Sequence, residues 1–411
     1  MKPKRPAQPK TNITITQVKD RRQREQVYDM LSKVFSGNDD YYRTMHDVRA
    51  VHGSPENHYD WTVSLVGFAG DQVVSNFGVW DYQTRVGSAR LRTGGVGVVA
   101  THGDYRKQGI MSRTIRASIE AMRSAGYDIT ILFGIPDFYH RFGYSRAWSD
   151  TAHIVDLKKI PAETGSPRLR RFSPIRSAEA IRLYNKTHAR LVGTAVRPTF
   201  RRMYMSRSKA YRWSDSKGKL KGYVIVRDAG DKEPMLCLEA VGDSILCLQA
   251  VRSLARRMGR HQVRFVTIPY LHPLLVLLRR HTCTTETNYQ RSAHAMARTL
   301  NLEQAFGKMR AELERRLRAS AYADWTGKLS LSDADERVML QIGKGRILLA
   351  GSGTTKHSIR AGDKAAQLLL GTDDPLEVAA AARMRLTGDA RGLITALFPA
   401  QYPTLSAWDR Y

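Results

Sequence analysis

The stretch Val96-Gly-Val-Val-Ala-Thr-His-Gly-Asp-Tyr-Arg106-Lys-Gln-Gly109-Ile-Met111 constrains the fold more than any other part of the chain. A short β-branched apolar segment, residues 96–100, runs into a glycine-containing turn. Ile110, Ile115, Ile119 and Met122 then recur with helical spacing as far as Gly126. A buried strand that feeds a helix in this way belongs to a layered α/β unit. The helix N-terminus would present unpaired backbone N–H groups, Arg106 and Lys107 would add charge, and Gly109 would let the backbone approach closely. Such a cradle suits a pyrophosphate. An ordinary strand-to-helix connection on a basic protein gives the same pattern, so this loop alone leaves both readings open.

A second buried strand follows at Asp128-Ile-Thr-Ile-Leu-Phe133, and Gly134-Ile-Pro136 breaks it before Phe138-Tyr139-His-Arg-Phe142-Gly143-Tyr144. With that segment the pattern becomes specific. V-x-V, R-x-x-G-x-M, a helix, a strand and F-Y-x-x-F-G-Y together resemble the acetyl-coenzyme A site of the GCN5-related N-acetyltransferase (GNAT) superfamily. The resemblance implies two central strands that splay apart, with pantetheine paired to the edge of the first and the diphosphate on the turn. Carried over residue by residue, Val98 and Val99 would pair with pantetheine. Arg106, Lys107, Gln108, Gly109, Ile110 and Met111 would hold the diphosphate, and Tyr139 would stand near the thioester sulfur. Tyr139 and Tyr144 also suit packing at a helix end. His102 and His140, beside the same site, suit either capping or proton transfer.

At 411 residues and 42% apolar content the chain has material for two or three domains with their own cores. No apolar run approaches the ~20 residues that span a bilayer, so no transmembrane segment is expected. The opening is basic and proline-rich with no apolar stretch behind it, which predicts a disordered arm over residues 1–11 rather than a secretory signal. Cys237, Cys247 and Cys283 share no metal-ligand spacing and form no even set; they read as reduced structural thiols of a cytoplasmic protein with no metal site. The net charge of +28 would suit a nucleic acid or an anionic membrane. Yet it is spread along the chain, and its densest groups, near residues 168–171, 252–260 and 310–318, lack the interleaved aromatics that stack bases. A solvated basic surface is the better reading.

Three units follow one another. The first, residues 12–155, opens with an amphipathic helix over 22–35, passes an acidic loop at Asn38-Asp-Asp-Tyr-Tyr42, and continues through strands near 61–68, 72–80 and 90–99. The second, residues 156–297, begins with a linker around Pro161 and Pro167. It then gives a helix at 178–191, strands at 222–227 and 235–241, a helix at 245–258, a strand at 263–268 and an apolar segment at 271–279. That order echoes the first unit without its phosphate turn. The third, residues 298–411, starts at the apolar face of Leu302, Phe306, Met309, Leu313 and Leu317. It ends on Tyr402-Pro-Thr-Leu-Ser-Ala-Trp408-Asp-Arg-Tyr411, a terminus too apolar to fray and therefore expected to be buried.

This tandem, closing in L-F-P, P-x-L and W-D-x-aromatic, resembles the Enhanced intracellular survival (Eis) acetyltransferases. The fold class implied is α/β and α+β: tandem GNAT folds with mixed, splayed central sheets and flanking helices, the second degenerate, followed by a sterol-carrier-protein-like α+β domain. Acetyl-coenzyme A is the implied co-substrate, with no metal. The implied reaction is direct attack of a primary amine, with the terminal carboxylate of Tyr411 as general base and Tyr139 as general acid. A backbone N–H of Val98 or Val99 would hold the oxyanion. A carboxylate with a solution pKa of ~3.5 needs a dry setting to act as a base. The resemblance also implies a homo-oligomer, a hexamer. Asp39, Asp40, Trp80 and Asp409 are candidates for the acceptor pocket. Polyamine-acetylating members resemble one another in carrying acidic residues there, whereas Arg410 is the penultimate residue here. A monoamine, an anionic amine or a protein lysine is therefore as good an acceptor as a polyamine. A lipid or acyl carrier built on the third domain, or a basic nucleic-acid-binding scaffold, are the alternatives; the scaffold needs neither an intact turn nor Tyr139.

Overall fold

The computed structural model describes residues 12–36, 41–160, 165–174, 177–198, 208–230, 233–290, 292–351 and 353–410. The expected arm at 1–11, Asp39, Asp40 and Tyr411 lie outside the described residues. The first stretch holds β1 (Ile13–Thr16), α1 (Arg21–Phe35), α2 (Tyr41–Gly53), β2 (Val66–Ala69), β3 (Gln72–Val86), β4 (Ala89–Thr101), α3 (Ile110–Ser124), β5 (Ile129–Gly134) and β6 (Ser145–Arg146). Next come β7 (Asp150–Asp156), β8 (Arg170–Arg171), α4 (Ala178–Thr187), β9 (Ser208–Ser214), β10 (Leu220–Arg227), β11 (Met235–Gly242), α5 (Ser244–Arg257), β12 (Gln262–Val266), α6 (Pro273–Leu278), β13 (Cys283–Asn288) and β14 (His294–Thr299). The last stretch holds α7 (Leu302–Arg318), β15 (Gly327–Ser332), β16 (Arg337–Gly343), β17 (Arg346–Ala350), β18 (His357–Arg360), α8 (Ala365–Leu370), α9 (Pro375–Ala381), β19 (Arg385–Thr387) and α10 (Ala390–Leu397).

Three sheets organise these elements, in the orders β1-β2-β3-β4-β5-β14-β6, β13-β7-β12-β11-β10-β9-β8 and β17-β16-β15-β18-β19. The first two exchange a strand. β7 leaves the first unit to pair with β12, and β14 returns from the second to pair with β5. The sheets therefore do not part at the expected boundary near residue 155: residues 150–156 lie in the second sheet and residues 294–299 in the first. The acidic segment read as a loop ending at Tyr42 runs into a helix, because α2 starts at Tyr41.

Local rules account for the main helices. Asp20 caps α1 by accepting from the Gln23 N–H at 2.8 Å, and Val27, Met30 and Leu31 form its buried stripe. Ile110, Ile115, Ile119 and Met122 bury one face of α3 against the first sheet. On α7, Leu302, Phe306, Met309, Leu313 and Leu317 are all sealed, at ~1.5–3 kcal/mol each. They face Ile129, Ile131, Ala295 and Ala297 of β5 and β14, so the third unit shares its core with the first sheet. Glu312 locks that contact. It accepts from the Ser88 N–H at 3.2 Å in the β3–β4 turn and pairs with Arg315 and Arg316 at 2.6 and 2.9 Å. Among the described residues no helix is long and apolar enough to cross a membrane.

Candidate active site

β4 and β5 pair in parallel from Thr93↔Ile129 to Val96↔Leu132 and then separate. The cause lies in the neighbouring β3–β4 ladder. Asn76↔Ala100 and Gly78↔Gly97 are successive pairs, so Phe77 alone opposes both Val98 and Val99. A bulge of this kind bends its strand, here away from β5. Val98 adopts φ +45°, a conformation that costs a β-branched residue ~1–3 kcal/mol and persists only where its surroundings enforce it. Asn76 enforces it by donating from Nδ2 to the Val98 carbonyl at 3.0 Å. Gly78 permits it, since a Cβ there would sit 2.6 Å from Val98 Cγ2. Asn76 and Gly78 were not singled out from the sequence; a glycine interrupting an apolar strand was the available signal.

Beyond the splay, a turn at Gly103–Tyr105 leads into α3. Arg106 Nε donates to the Thr101 carbonyl at 3.3 Å and the Gln108 amide to the Asp104 carbonyl at 3.2 Å, which folds the loop back on itself. Lys107 and Gly109 have φ of +63° and +74°. Gly109 occupies the N-cap of α3, where no side chain caps the helix and no acid lies in its first turn, so its leading N–H groups keep their partial positive charge. A Cβ at Gly109 would meet nothing within 4 Å; the cradle opens on free space, and backbone conformation rather than room calls for glycine. Arg106, Lys107 and Gln108 are exposed around it. Two hydroxyls dock the helix on the sheet: Thr114 Oγ1 lies 2.8 Å from Ser75 Oγ, and Ser118 Oγ accepts from the Leu65 N–H at 3.3 Å.

Tyr139 opens a one-turn helix, Tyr139–Phe142, after β5. Its ring lies on Gly134, where a Cβ would approach to 2.6 Å, and meets Phe138 and Tyr144 at centroid separations of 4.9 and 6.0 Å. Burial pushes its phenol up to about 12. Among the described residues its hydroxyl has no hydrogen-bond partner, whereas the Tyr144 hydroxyl lies 3.2 Å from Thr130 Oγ1. His140 is exposed; His102 Nδ1 accepts from the Asp104 N–H at 3.4 Å, a capping role.

A second group borders the splay from the opposite face of the sheet. His294 sits across from Gly134 on β14, with φ +61°. Its Nε2 lies 3.2 Å from Asp150 Oδ2 and its ring 5.4 Å from that of Phe133. Arg410 places its guanidinium 4.6 Å from the Phe133 ring and 4.0 Å from Asp150 Oδ1. Burial and Arg410 hold the imidazole below its usual pKa range against the opposing pull of Asp150. Sequence reasoning passed over this histidine because the strand that carries it joins the first sheet from a position 160 residues beyond β5.

Two expected pocket residues are interior groups. Trp80 is 1% exposed, edge-on to Tyr59 at 5.0 Å and beside His52 at 5.5 Å, and Trp61 above them is the half-buried indole. Asp409 is also 1% exposed and is paired with Arg197 at 2.8 Å rather than facing an acceptor. Among the described residues no cluster of three or more His, Cys, Asp and Glu side chains could hold a metal ion.

Residues 17–147, which contain the bulge, the turn and Tyr139, match the acetyltransferase (GNAT) domain family. This segment is a GNAT acetyltransferase domain. Within it, an uncharacterized N-acetyltransferase of Streptomyces coelicolor is 29% identical over 125 residues, and one of Streptomyces avermitilis 27% over 129. These alignments cover 29% and 30% of this chain and span only about a third of the relatives, 30% and 31% of their lengths. Solved structures share the fold over nearly the whole chain. A GCN5-related N-acetyltransferase from Anabaena variabilis superposes with a TM-score of 0.73 at 17% identity, over 97% of this chain and 100% of its own. One from Kribbella flavida gives 0.69 at 19% identity over the same shares, and Eis1 from Mycobacterium abscessus gives 0.66 at 13%, over 97% and 99%. The fold is thus the mixed α/β arrangement of that group.

The second sheet repeats the frame of the GNAT domain. β11 and β12 pair in parallel as far as Cys237↔Phe265, and a bulge between Ile225 and Val226 leaves Leu238 as the extra residue of β11. Counted from the last pair, Val266-Thr267-Ile268-Pro269 stands where Phe133-Gly134-Ile135-Pro136 stands in the first, which puts His272 in the place of Tyr139 and Glu239 in that of Val98. The turn is missing. Gly242 is followed at once by Asp243, whose carboxylate caps α5 by accepting from the Ile245 and Leu246 N–H groups at 3.0 Å.

Proposed function

We propose that this protein transfers an acetyl group from acetyl-coenzyme A to a primary amine. The observation that carries the proposal is the open splay of β4 and β5, flanked by an uncapped helix N-terminus and a phenol that keeps its proton. The residues present fit the co-substrate: a bulged strand edge at Val98 and Val99 for pantetheine, and residues 106–111 for the diphosphate, with Arg106 and Lys107 supplying charge and the backbone N–H groups supplying direction. When bound, acetyl-coenzyme A supplies the electrophilic thioester carbonyl. The chain's own part is to place and protonate. Backbone N–H groups at the bulge face the charge that develops on the carbonyl oxygen. Tyr139, raised above the ordinary phenol range, remains protonated near neutral pH and offers its proton to the departing sulfur.

The terminal carboxylate of Tyr411 takes the proton of the amine in this reading. Its support is positional: Arg410 lies over Phe133, the first residue of β5 past the splay, and the next Cα is ~3.8 Å further on. The positive charge of Arg410 over Phe133, beside the splay, favours a monoamine or an anionic amine over a polycation. We also read the chain as Eis-like, with a cofactor-free second GNAT unit and a sterol-carrier-like third unit; the shared fold with Eis1 and the repeated frame of the second sheet support this.

The test is acetyl-coenzyme A-dependent release of free coenzyme A over a panel of aminoglycosides, polyamines, aryl amines, amino acids and lysine peptides, with Tyr139→Phe as control. Turnover that falls by ~100-fold or more in the variant, with cofactor binding retained, is the expected result. Absence of acetyl-coenzyme A binding would overturn the proposal.

A further inference from the structure

We infer that the second cleft is a clamp for the C-terminal tail, and that Arg197, Glu239 and Asp409 are positioning residues that set where the chain terminus meets the first cleft. This rests on the proposed function, in which that terminus takes the acceptor's proton.

The tail follows a fixed path. The Gln401 and Tyr402 N–H groups donate to the Gly371 carbonyl at 2.7 and 3.2 Å, and the Thr404 N–H donates to that of Val192 at 3.2 Å. Residues 406–409 then enter the second sheet where β11 and β12 part. The Ala407 N–H donates to Thr267 Oγ1 at 3.3 Å, and that hydroxyl donates to the Leu238 carbonyl at 3.1 Å. Ser406 Oγ donates to Glu239 Oε2 at 2.9 Å, and Trp408 packs against the apolar cluster of Leu238, which Val266 also borders. In the register of the first cleft these are the positions of Gly134, Gly97, Val98 and Phe133. The tail thus fills the gap that the first cleft keeps open for pantetheine.

Charge closes the clamp. Arg197 donates to Asp409 from Nε and Nη2 at 2.8 and 2.9 Å, and to Glu239 from Nη1 and Nη2 at 3.0 and 2.8 Å. The Tyr184 hydroxyl donates to Asp409 at 3.2 Å and the Tyr223 hydroxyl to Glu239 at 2.7 Å. Arg197 stacks on Tyr184 at 3.6 Å, with Arg85 of β3 at 5.9 Å from the same ring, so two guanidinium groups balance two carboxylates that are 1–2% exposed. A buried network of this kind adds little net stability over well-packed apolar groups, but it admits one geometry. That geometry has a use one residue later, where Arg410 crosses to Phe133. Two residues span at most ~7 Å, so fixing Asp409 limits how far the terminus can reach. A misplacement of ~1 Å at a reacting group can cost ~100-fold in rate.

Four proteins test this: wild type, Asp409→Asn, a variant with one glycine inserted between Arg410 and Tyr411, and a variant lacking Tyr411. For each, kcat, KM for the amine, acetyl-coenzyme A affinity by calorimetry and Tm are measured. We expect kcat of Asp409→Asn and of the insertion to fall by ~10- to 100-fold while acetyl-coenzyme A affinity stays within about twofold, and the insertion to leave Tm unchanged. A folded Asp409→Asn with a lowered Tm but wild-type kcat would show a merely structural cluster and overturn the inference. If Asp409→Asn does not fold, the insertion decides: its unchanged kcat would overturn the inference equally. Loss of activity on deleting Tyr411 together with a fully active Asp409→Asn would remove the clamp alone, whereas a fully active deletion variant would remove the terminal base and the clamp with it.

Discussion

The two clefts share a frame and differ in what lines and fills them. In both, a bulge beside a short parallel pair opens a gap between central strands. In the first, the gap continues into an eight-residue turn, residues 102–109, and a helix whose N-terminus no side chain caps. In the second, Asp243 satisfies that N-terminus with a carboxylate, Glu239 brings a second carboxylate to the bulge, and the chain's own tail fills the space. The residue at the position of the proposed proton donor differs as well. Tyr139 holds its proton with a phenol free of partners among the described residues, whereas His272 accepts from the Leu274 N–H at 3.2 Å and burial pushes its pKa down to about 4, leaving it neutral and committed as a cap. The fold supplies a gap; caps, charges and what lies in the gap decide whether an anionic cofactor can use it.

The comparison can be broken at several points. The largest effect belongs to Tyr139→Phe, which removes the phenol proton from the first cleft; kcat should fall by ~100-fold or more with acetyl-coenzyme A affinity unchanged, as read by steady-state kinetics and calorimetry. Next is Glu312→Ala, which frees the β3–β4 turn from α7 and leaves Arg316 buried without its carboxylate; unfolding free energy should drop by ~3–5 kcal/mol in urea titrations. The same group predicts an acid limb. Its partners hold Glu312 at about 2, below its ordinary 4.5, so its contribution is complete above pH ~4.5 and is lost as pH falls toward 2; Glu312→Gln should flatten that part of the stability profile. Gly109→Asp would give α3 the carboxylate that α5 has, at a position whose φ already strains any side chain; acetyl-coenzyme A should bind ~10- to 100-fold more weakly, with kcat at saturation largely kept. Smallest is the reverse change in the second cleft. Asp243→Ala should cost ~1 kcal/mol in stability through the lost cap and leave turnover unchanged.

What could be read in the sequence was what is encoded locally. The strand, turn and helix around Gly109 form from neighbouring residues, and β3, α3 and α5 start within one residue of their expected positions. The apolar tail does lie against the rest of the molecule, as half-buried Trp408, packed against an apolar cluster of the second unit, shows. Long-range pairing was not legible. β7 and β14 carry ordinary strand patterns that fit either sheet, and nothing in them says that they cross over. β13, with the sequence Cys-Thr-Thr-Glu-Thr-Asn, is an edge strand with no apolar alternation to reveal it. Asp409 could be read as a pocket acid because its partner, Arg197, stands 212 residues away. For the same reason the His294–Asp150 pair was invisible until β14 was placed beside β5.

The most direct test of one open and one occupied cleft is the stoichiometry of acetyl-coenzyme A binding by calorimetry, on the wild type and on Gly109→Asp. One molecule per chain, with affinity sharply weakened by the substitution, is the predicted result. Two molecules per chain, or one whose affinity is indifferent to Gly109→Asp, would contradict the account.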